Sequence, residues 1–400
     1  MTGNRPLDDV RVLDMSTLMT GPLCGQILAD YGADVIKLER PEGDAMRHAG
    51  PMRHAQMGPM YMHANRNKRS VCIDAKKPGA IATILKIAAT CDVFLTNIRP
   101  AAMRRLGLAP EQLRAVRPDL IYVSIVGFGQ GGPYAKKPVV DDVTQSASGM
   151  ADMVRRYSGE PRYVPSVMAD RVTGLTAAHA VIAALYQRTR TGRGQDLEVP
   201  MFETLAAFVM GDHLGGLSFD PPAGPTGYNR LITPHRRPFK TSDGYIGTSV
   251  YTNRQWKAFL GAIGQGDLYD SDPRFHDAAV RAGCYDEVYG MLGDIFTANT
   301  TAYWLAVLEG CDIPCSPVRS VDELIHDPHL KAVGFFEEFD HPHEGRMRTM
   351  NVTSKWSDAD MSIRRHAPKL GEQTREILAE CGYGAEAIQR LLDEKVALEG

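Results

Sequence analysis

The chain has 400 residues, of which 44% are hydrophobic and 23% are charged, and its formal net charge is −3. This composition is typical of a globular protein with about two domains, and it excludes a basic field that would attract nucleic acid. The seven cysteines are scattered and odd in number, which favours reduced thiols over a disulfide framework. The longest apolar run is too short for a membrane span, and the first residues lack the apolar segment of a secretory signal. We therefore expect a cytoplasmic protein with no nucleic-acid or membrane partner.

The first part of the chain predicts alternating strands and helices. Residues 10–15 (VRVLDM) predict a strand, a turn at Gly21-Pro22 begins a helical stretch that ends at Tyr31, and residues 34–38 (DVIKL) predict the next strand. The alternation continues as helix, strand, helix and strand over residues 81–90, 93–96, 99–106 and 120–126. This pattern predicts an α/β fold whose large domain is a Rossmann-like, doubly wound parallel sheet.

The second part of the chain predicts a separate, smaller domain. A short strand and a helix with Pro200 in its first turn precede residues 214–234, whose many glycines and prolines predict a linker. Residues 239–250 predict a hairpin that turns at Ser242-Asp243-Gly244, and helices follow to about Leu308. The predicted organisation is a large domain, the linker, a smaller α+β domain and a return to the large domain, over residues 1–213, 214–234, 235–326 and 327–400.

One glycine-rich segment resembles a nucleotide-binding loop. Residues 127–132 (GFGQGG) follow a predicted strand and match the spacing of the dinucleotide fingerprint. That fingerprint also needs a helix whose N-terminus holds the pyrophosphate, and Pro133 and Pro138 prevent a helix from beginning here. We therefore predict a flexible loop above the sheet, whose backbone N–H groups could stabilise an oxyanion.

A second pattern resembles a zinc site. Cys311, Cys315, His326 and His329 supply suitable ligand types. Their spacing differs from that of a zinc finger, and three prolines within the segment break the local geometry. Small thiols and a surface turn are the better interpretation, and we predict no metal ion.

A lone carboxylate stands before an apolar helix. The segment SVMADRVTG places Asp170 just ahead of the run LTAAHAVIAALY, which predicts a helix that begins at about Arg171. Aspartate is a preferred N-cap residue, so capping is one interpretation. The other is a nucleophile, since a carboxylate is ionised at neutral pH and needs no general base to attack a carbonyl. The residues alone favour the cap.

Eight separated segments together resemble a known family. In chain order they are LDMSTLMTGPLCGQILADYGADVIKLERPEGDAMR, NRNKRSVCIDAKKPG, TNIRPAAMRRLGL, VVDDVTQSASG, VMADRVTG, TGRGQDLEVPMFETL, CDIPCSPVRSVDELIHDPHL and APKLGEQTREILAECGY. Their order and spacing resemble the class III CoA-transferases, the superfamily of formyl-CoA transferase, carnitine CoA-transferase and 2-methylacyl-CoA racemase. The resemblance implies a large Rossmann-like domain with an inserted small domain. It also implies a homodimer in which two chains form interlocked rings.

The resemblance implies roles for individual residues. Asp170 falls at the position of the catalytic aspartate, and Asp141 matches an acidic residue near it. Met19 stands where formyl-CoA transferase has a glutamine that helps to hold its substrate, which argues against a formyl-CoA:oxalate reaction. The positions that match coenzyme A contacts are Arg40, Ile73, Asn97, Ile98 and Arg105. Asp141 also opens a single predicted helix (DDVTQSASGMADMV), so a helix cap remains its alternative role. A solvated charge or a turn amide remains the alternative for the polar coenzyme A positions.

The implied activity is transfer of coenzyme A from an acyl-CoA to a free carboxylic acid, through an aspartyl anhydride and an aspartyl-CoA thioester. Its co-substrates are acyl-CoA and carboxylic acids. The racemase branch is an alternative; its second proton carrier is a histidine where this chain has Val140, although His63 or His179 could substitute. A non-catalytic CoA-binding protein is an alternative of another class. Arg236 and Arg237 follow the linker and could pair with the second carboxylate of a dicarboxylic acceptor, a solvated basic turn being the other interpretation.

Overall fold

A computed structural model describes residues 5–400 of the chain. The strands are β1 (Arg11–Met15), β2 (Asp34–Glu39), β3 (Lys68–Ile73), β4 (Val93–Thr96), β5 (Ile121–Val126), β6 (Asp196–Pro200), β7 (Phe239–Lys240), β8 (Tyr245–Thr248), β9 (Cys315–Pro317), β10 (Phe336–His341), β11 (Gly345–Met350) and β12 (Ala397–Leu398). The first ten α-helices are α1 (Thr20–Asp30), α2 (Pro59–Asn65), α3 (Ala80–Ala88), α4 (Pro100–Leu106), α5 (Pro110–Val116), α6 (Asp141–Ala147), α7 (Met150–Ser158), α8 (Met168–Thr191), α9 (Met201–His213) and α10 (Asn229–Ile232). The remainder are α11 (Asn253–Ala262), α12 (Asp267–Ser271), α13 (Pro273–His276), α14 (Ala278–Gly283), α15 (Tyr285–Phe296), α16 (Thr301–Gly310), α17 (Val321–Leu324), α18 (Pro328–Ala332), α19 (Thr374–Glu380) and α20 (Ala385–Asp393). Short 3-10 helices cover Ala45–His48 and Gly215–Ser218.

The principal sheet has seven strands in the order β12-β3-β2-β1-β4-β5-β6. Neighbouring strands from β3 to β6 are parallel, and the edge strand β12 is antiparallel to β3. The parallel part follows the order 3-2-1-4-5-6 of the Rossmann fold. The predicted α/β class with a large parallel sheet is therefore confirmed.

Apolar residues hold the central strands together. Leu13 of β1 lies opposite Ile36 of β2 and Phe94 of β4, and all three side chains are fully buried. Ile84 and Ile87 on one face of α3 pack into the same core. Burying one such side chain contributes about 1.5–3 kcal/mol relative to leaving it exposed, so these apolar contacts stabilise the centre of the sheet.

Strand β3 lies between β2 and β12 and was not predicted from the sequence. Its first two residues, Lys68 and Arg69, are charged, yet both side chains are buried because each is paired with a carboxylate. The Nζ of Lys68 donates to Asp14 Oδ2 at 2.8 Å, and Nη1 of Arg69 donates to Glu380 Oε1 at 2.7 Å. Paired charges can be buried in this way, whereas the sequence pattern shows only a polar segment.

The strand order reverses between β1 and β4, which lie side by side at the centre of the sheet. The loops that leave two such strands diverge and open a crevice at the carboxyl end of the sheet. In this chain they are residues 16–19, between β1 and α1, and residues 97–99, between β4 and α4. This edge is where a Rossmann-like sheet binds its ligands.

The chain forms two compact units. The first contains the residues up to Ala147, Pro165–Leu205 and Pro328–Gly400, and the second contains Ser148–Val164 and Ala206–Asp327. The second unit has a three-stranded sheet in the order β7-β8-β9, and its hairpin pairs Phe239 with Ile246 across the predicted turn. Its core is a cluster of aromatic side chains from Phe239, Trp256, Phe259, Phe275, Phe296 and Trp304.

Three helices begin at positions that differ from the sequence predictions. Helix α8 begins at Met168 rather than at about Arg171. The single helix predicted after residue 141 is divided into α6 and α7 at Gly149, where φ is +87°. Pro200 ends strand β6 instead of opening α9. Within the part of the chain that the structure describes, no helix combines the length and the apolarity that a membrane span requires.

Candidate functional site

Asp170 lies in the first turn of α8, near the carboxyl end of the principal sheet. The N-cap position of this helix is Val167, which offers no side-chain hydrogen bond. The interpretation of Asp170 as the N-cap is therefore wrong, because the helix begins before it. Gly174, one turn further on, lies so close to α1 that an added Cβ would be 2.8 Å from the Thr20 carbonyl oxygen. The glycine of the VMADRVTG segment thus lets the two helices approach closely.

Two side chains from other helices, Thr20 of α1 and Asp141 of α6, contact Asp170. The hydroxyl of Thr20 donates to Asp170 Oδ1. The backbone N–H of Asp170 donates to Asp141 Oδ1 at 3.0 Å, and Gln145 Nε2 donates to Asp141 Oδ2 at 2.7 Å. Asp141 is the first residue of α6 and is 8% exposed. Its carboxylate therefore provides, from another helix, an acceptor for one of the unpaired N–H groups at the start of α8. The structure therefore places Asp141 beside Asp170, as the resemblance implies, and gives it a helix-capping contact as well.

The surroundings of Asp170 raise the pKa of its carboxyl. Burial raises this pKa, the Thr20 hydroxyl lowers it, the Asp141 carboxylate raises it, and Arg171 lowers it. The net direction is upward from the usual value of 3.8. A carboxylate with a raised pKa is a better nucleophile than a surface aspartate, because its negative charge is less stabilised.

A cavity of about 180 Å³ opens beside Asp170, and we name it the Asp170 cavity. It lies at the switch point of the sheet. The residues around it that bear on function are Thr17, Leu18, Thr20, Asn97, Arg99, Gly127, Gln130, Lys137, Val140, Asp141 and Asp170. Arg99 and Lys137 are cations that were not predicted as site residues, although Arg99 belongs to the TNIRPAAMRRLGL segment. The cavity combines two carboxylates, Asp141 and Asp170, with two positive charges, Arg99 and Lys137.

The glycine-rich loop borders this cavity through Gly127 and Gln130. The N–H of Gly129 donates to Glu203 Oε1 at 2.8 Å, and the N–H of Gln130 donates to Glu198 Oε1 at 2.9 Å. These two groups are therefore engaged by carboxylates of the chain. The predicted oxyanion contact does not fit them in this conformation, because each N–H already has an acceptor.

A second cavity, the Arg40 cavity, has a volume of about 230 Å³. It is lined by three predicted coenzyme A positions, Arg40, Ile73 and Ile98, together with Leu38, Lys76 and Leu106. Four carboxylates, Glu39, Glu42, Asp44 and Asp74, also line it. Thr17 lines both this cavity and the Asp170 cavity, so the two adjoin at the end of β1. Lys76 was missed in the sequence, although it belongs to the AKKPG segment that follows β3.

The remaining predicted residues lie at different places. Asn97 pairs with the backbone of Thr17, accepting from its N–H at 2.9 Å and donating to its carbonyl at 2.7 Å. Arg105 is exposed in the last turn of α4, next to Leu106 of the Arg40 cavity. Met19 is 4% exposed and does not line the Asp170 cavity. Arg236 and Arg237 are exposed in the second unit.

Met19 instead lines a third cavity of about 490 Å³, which we name the Met19 cavity. His63 and His179, the histidines considered as proton carriers, line this cavity and not the Asp170 cavity. Burial lowers the pKa of His63, and Arg66 and Arg171 lower it further. At the position of the racemase histidine, Val140 is 57% exposed and carries no titratable group. Among residues 5–400, no three His, Cys, Asp or Glu side chains come together as a metal site would require.

Known proteins match this chain over most of its length. It is 32% identical over 393 residues to succinyl-CoA:glutarate CoA-transferase of Mus musculus, covering 97% of this chain and 89% of that one. It is 30% identical over 405 residues to formyl-CoA:oxalate CoA-transferase of Bradyrhizobium sp. (strain ORS 278), covering 94% of this chain and 93% of that one. The crystal structure of a CAIB/BAIF family protein from Brucella suis superposes with a TM-score of 0.79 at 29% identity, covering 94% of this chain and all of that chain (100%).

The family match agrees with the architecture of the site. The model of CoA-transferase family III matches residues 7–374, which include both the Asp170 cavity and the Arg40 cavity. The relatives match from the first strand to the C-terminal region, so the similarity is not confined to a common Rossmann-like sheet. The chain therefore belongs to CoA-transferase family III.

Proposed function

We propose that this chain is an acyl-CoA:carboxylate CoA-transferase in which Asp170 carries the acyl group. The observation that supports this most strongly is the arrangement of Asp170 at the start of α8. Its carboxylate accepts from Thr20, its pKa is raised mainly by burial, and it borders a cavity that adjoins the Arg40 cavity at Thr17. A thioester that passes between the two cavities would bring its carbonyl to a carboxylate held in place.

The proposed reaction begins when an Asp170 carboxylate oxygen attacks the thioester carbonyl. The carbon–sulfur bond breaks, and coenzyme A leaves as a thiolate from an acyl-aspartyl anhydride. The thiolate then attacks the aspartyl carbonyl, which releases the donor acid and leaves an aspartyl-CoA thioester. The acceptor carboxylate attacks that thioester, forming a second anhydride and again releasing the thiolate. The thiolate finally attacks the acceptor's acyl carbon, so the new acyl-CoA departs and the Asp170 carboxylate is restored.

Asp141 and Thr20 would support this chemistry in different ways. Asp141 holds the N–H of Asp170 and raises the pKa of its carboxyl, which increases the basicity of the nucleophile. The Thr20 hydroxyl donates to Oδ1 and orients the carboxylate, so that Oδ2 is the oxygen better placed for attack. No external base is required, because the nucleophile is already an anion.

The Arg40 cavity is the proposed site for the nucleotide end of coenzyme A. Arg40 and Lys76 supply positive charge for phosphate groups, and Leu38, Ile73 and Ile98 supply an apolar surface for a base. Asn97 and Ile98 would lie along the path between the cavities. Arg105, exposed on α4, would contact a phosphate outside the cavity.

A dicarboxylic acid is the proposed acceptor class. Arg99 and Lys137 line the Asp170 cavity and would pair with the carboxylate that does not react. The matched relatives carry the names of succinyl-CoA:glutarate and formyl-CoA:oxalate transferases, whose acceptors are also diacids. Arg236 and Arg237 remain proposed alternatives for the second carboxylate.

We also propose a homodimer with interlocked chains. Its proposed domain organisation is the one predicted from the sequence, in which residues 214–234 are the crossing linker and residues 235–326 are the small domain. Large apolar side chains that remain exposed in the single chain support a further interface. They include Leu175 at 48%, Tyr186 at 66% and Phe208 at 50% exposure. Exposed side chains of this size and apolarity are candidates for burial in a protein–protein contact.

The test of the activity is a screen of acyl-CoA donors against carboxylic acids, with the product thioesters identified by mass spectrometry. Asp170→Ala serves as the blank, and we expect new thioesters only with the unchanged chain. Exchange of the α-proton for solvent deuterium without any acceptor acid would indicate the racemase instead. Acyl-CoA binding without turnover across the panel would indicate a non-catalytic protein.

A further inference from the structure

The turn at the end of β1, residues 15–18, takes most of its hydrogen bonds from side chains. The Met15 and Ser16 carbonyls accept from Thr96 Oγ1 at 3.1 Å and from Lys37 Nζ at 2.9 Å. The Ser16 and Leu18 N–H groups donate to Asp14 Oδ1 and to Asp44 Oδ1, both at 3.1 Å. Asn97 pairs with both backbone groups of Thr17. This turn lines both cavities through Thr17 and leads directly to Thr20.

The turn contains an unfavourable backbone conformation. Leu18 has a φ of +67°, in the left-handed region that a leucine rarely adopts. A conformation of this kind persists only when the surrounding structure determines it. The bond from the Leu18 N–H to Asp44 is therefore a specific restraint on the strained residue.

Lys37 and Asp44 form the buried base of this turn. They are 0% and 1% exposed, and Lys37 Nζ contacts Asp44 Oδ2 at 2.9 Å. Burial lowers the pKa of Lys37, but Asp14, Asp44 and Glu39 raise it more, so the net direction is upward and the amine stays charged. Burying a charge pair is costly, and the proposed mechanism assigns no step to either group, although Asp44 also lines the Arg40 cavity.

We propose that Lys37 and Asp44 are positioning residues, which fix the turn at residues 15–18 so that the Thr20 hydroxyl meets Asp170 Oδ1. The pair acts on the backbone: the lysine holds the Ser16 carbonyl and the aspartate holds the Leu18 N–H. Neither side chain touches Asp170. The inference rests on the proposed function, since the placement of Thr20 matters for catalysis only if Asp170 reacts.

The test is a double-variant cycle in the full-length chain, with acyl-CoA:acid transfer as the readout. Asp44→Ala removes the acceptor of the Leu18 N–H, and Thr20→Val removes the hydroxyl that the turn positions. We expect Asp44→Ala to lower kcat by up to about tenfold, because it can remove no more than the contact of the Thr20 hydroxyl with Asp170, which is one hydrogen bond to a charged group. In a Thr20→Val background the same change should cost less than about threefold, because the contact it serves is already absent. Multiplicative losses would overturn the proposal.

The matched control is Asp30→Asn. Asp30 is 4% exposed and its Oδ2 accepts from Arg66 Nη2 at 2.7 Å, so it belongs to a buried ion pair of the same unit. It has no bond to the turn. We expect this variant to lose thermal stability, to retain kcat within about twofold, and to combine with Thr20→Val without coupling.

Asp44→Ala leaves Lys37 buried without its nearest partner and could prevent folding. In that event Lys37→Met/Asp44→Asn replaces it in the cycle, since this double variant removes both charges together with the donor to the Ser16 carbonyl. The same coupling to Thr20→Val is expected.

A crystal structure of the folded variant supplies a readout that needs no activity. We expect the turn to shift and the Thr20 hydroxyl to separate from Asp170. An unmoved turn overturns the inference, even if the unchanged chain transfers no coenzyme A. A chain without transferase activity contradicts the proposed function instead, so the two failures are distinguishable.

Discussion

Both compact units have an apolar core, and they differ in the other side chains that they bury. Beneath its candidate site the first unit buries charges, and Asp14, Lys37 and Asp44 are at most 1% exposed. The second unit buries an aromatic cluster in which the rings of Trp256 and Phe275 lie 4.9 Å apart. Aromatic packing stabilises a fold without directing any particular backbone group. Buried hydrogen-bonded charges hold backbone groups at fixed points, although their desolvation is costly.

The comparison indicates that buried charges lower the stability of the first unit but hold the groups of its site in place. The largest expected effect, at Asp170, tests this. Asp170→Asn removes the nucleophile, so we expect kcat to fall by at least about 1,000-fold in the donor–acceptor assay. The raised pKa of Asp170 means that the folded state binds this proton more tightly than the unfolded state does. Its ionised form therefore destabilises the fold at every pH above the raised pKa. Asp170→Asn should consequently melt at an equal or higher temperature at pH 7. A lower melting temperature would contradict the comparison.

The second unit should respond in the opposite way. Phe259→Ala removes a fully buried ring that packs near Phe296 and Trp304, and it should lower the free energy of unfolding by about 3–5 kcal/mol. Tryptophan fluorescence during chemical denaturation measures this, because Trp256 and Trp304 both lie in the cluster. The control is Phe219→Ala, whose side chain is 63% exposed and whose loss should cost less than about 0.5 kcal/mol. Equal losses would show that the aromatic cluster does not stabilise this unit.

A smaller effect is expected at Thr20. Thr20→Val keeps the shape of the side chain but removes the hydroxyl that donates to Asp170, and kcat/KM should fall about tenfold. Because this bond lowers the pKa of Asp170, its loss should move the acidic limb of the pH–rate profile to higher pH. Thr173→Val is the matched control, since the Thr173 hydroxyl on α8 is buried without a hydrogen-bond partner. A profile unchanged in Thr20→Val would show that Asp170 does not control the acidic limb.

The smallest effect should come from Asp141. Asp141→Asn removes a negative charge that raises the pKa of Asp170, while the amide oxygen can still accept from the Asp170 N–H. The acidic limb should therefore move to lower pH, opposite to the shift in Thr20→Val. The rate at the plateau should fall by less than about tenfold. Shifts of the same sign in both variants would contradict the assigned electrostatics.

The parts of the fold that could be predicted are those whose information is local. Apolar runs identified β1, β2, β4 and β5, and the Ser242-Asp243-Gly244 segment identified the hairpin of the second unit. Strand β3 was missed because its charges are satisfied by residues as distant as Glu380. The start of α8 was misplaced because Asp141, 29 residues away, provides the contact expected of a local cap.

The site was predictable only in part for a similar reason. The family resemblance indicated Asp170, Asp141 and several residues that line the two adjoining cavities. Thr20, Lys37 and Asp44 lie within the first of the resembling segments, but the resemblance assigned them no role. Their relation to Asp170 arises from helix packing and from a strained turn. Met19, which the resemblance associates with the substrate, lies in a different cavity because its side chain leaves the turn toward α2 and α8.

The most direct measurement is the search for a covalent adduct at Asp170. The chain is incubated with an acyl-CoA donor and no acceptor acid, treated with hydroxylamine, digested, and analysed by tandem mass spectrometry. We predict a hydroxamate on the peptide that contains Asp170, dependent on the donor and lacking in Asp170→Ala. An unmodified Asp170 during active transfer, or a hydroxamate at a different carboxylate, would contradict the account.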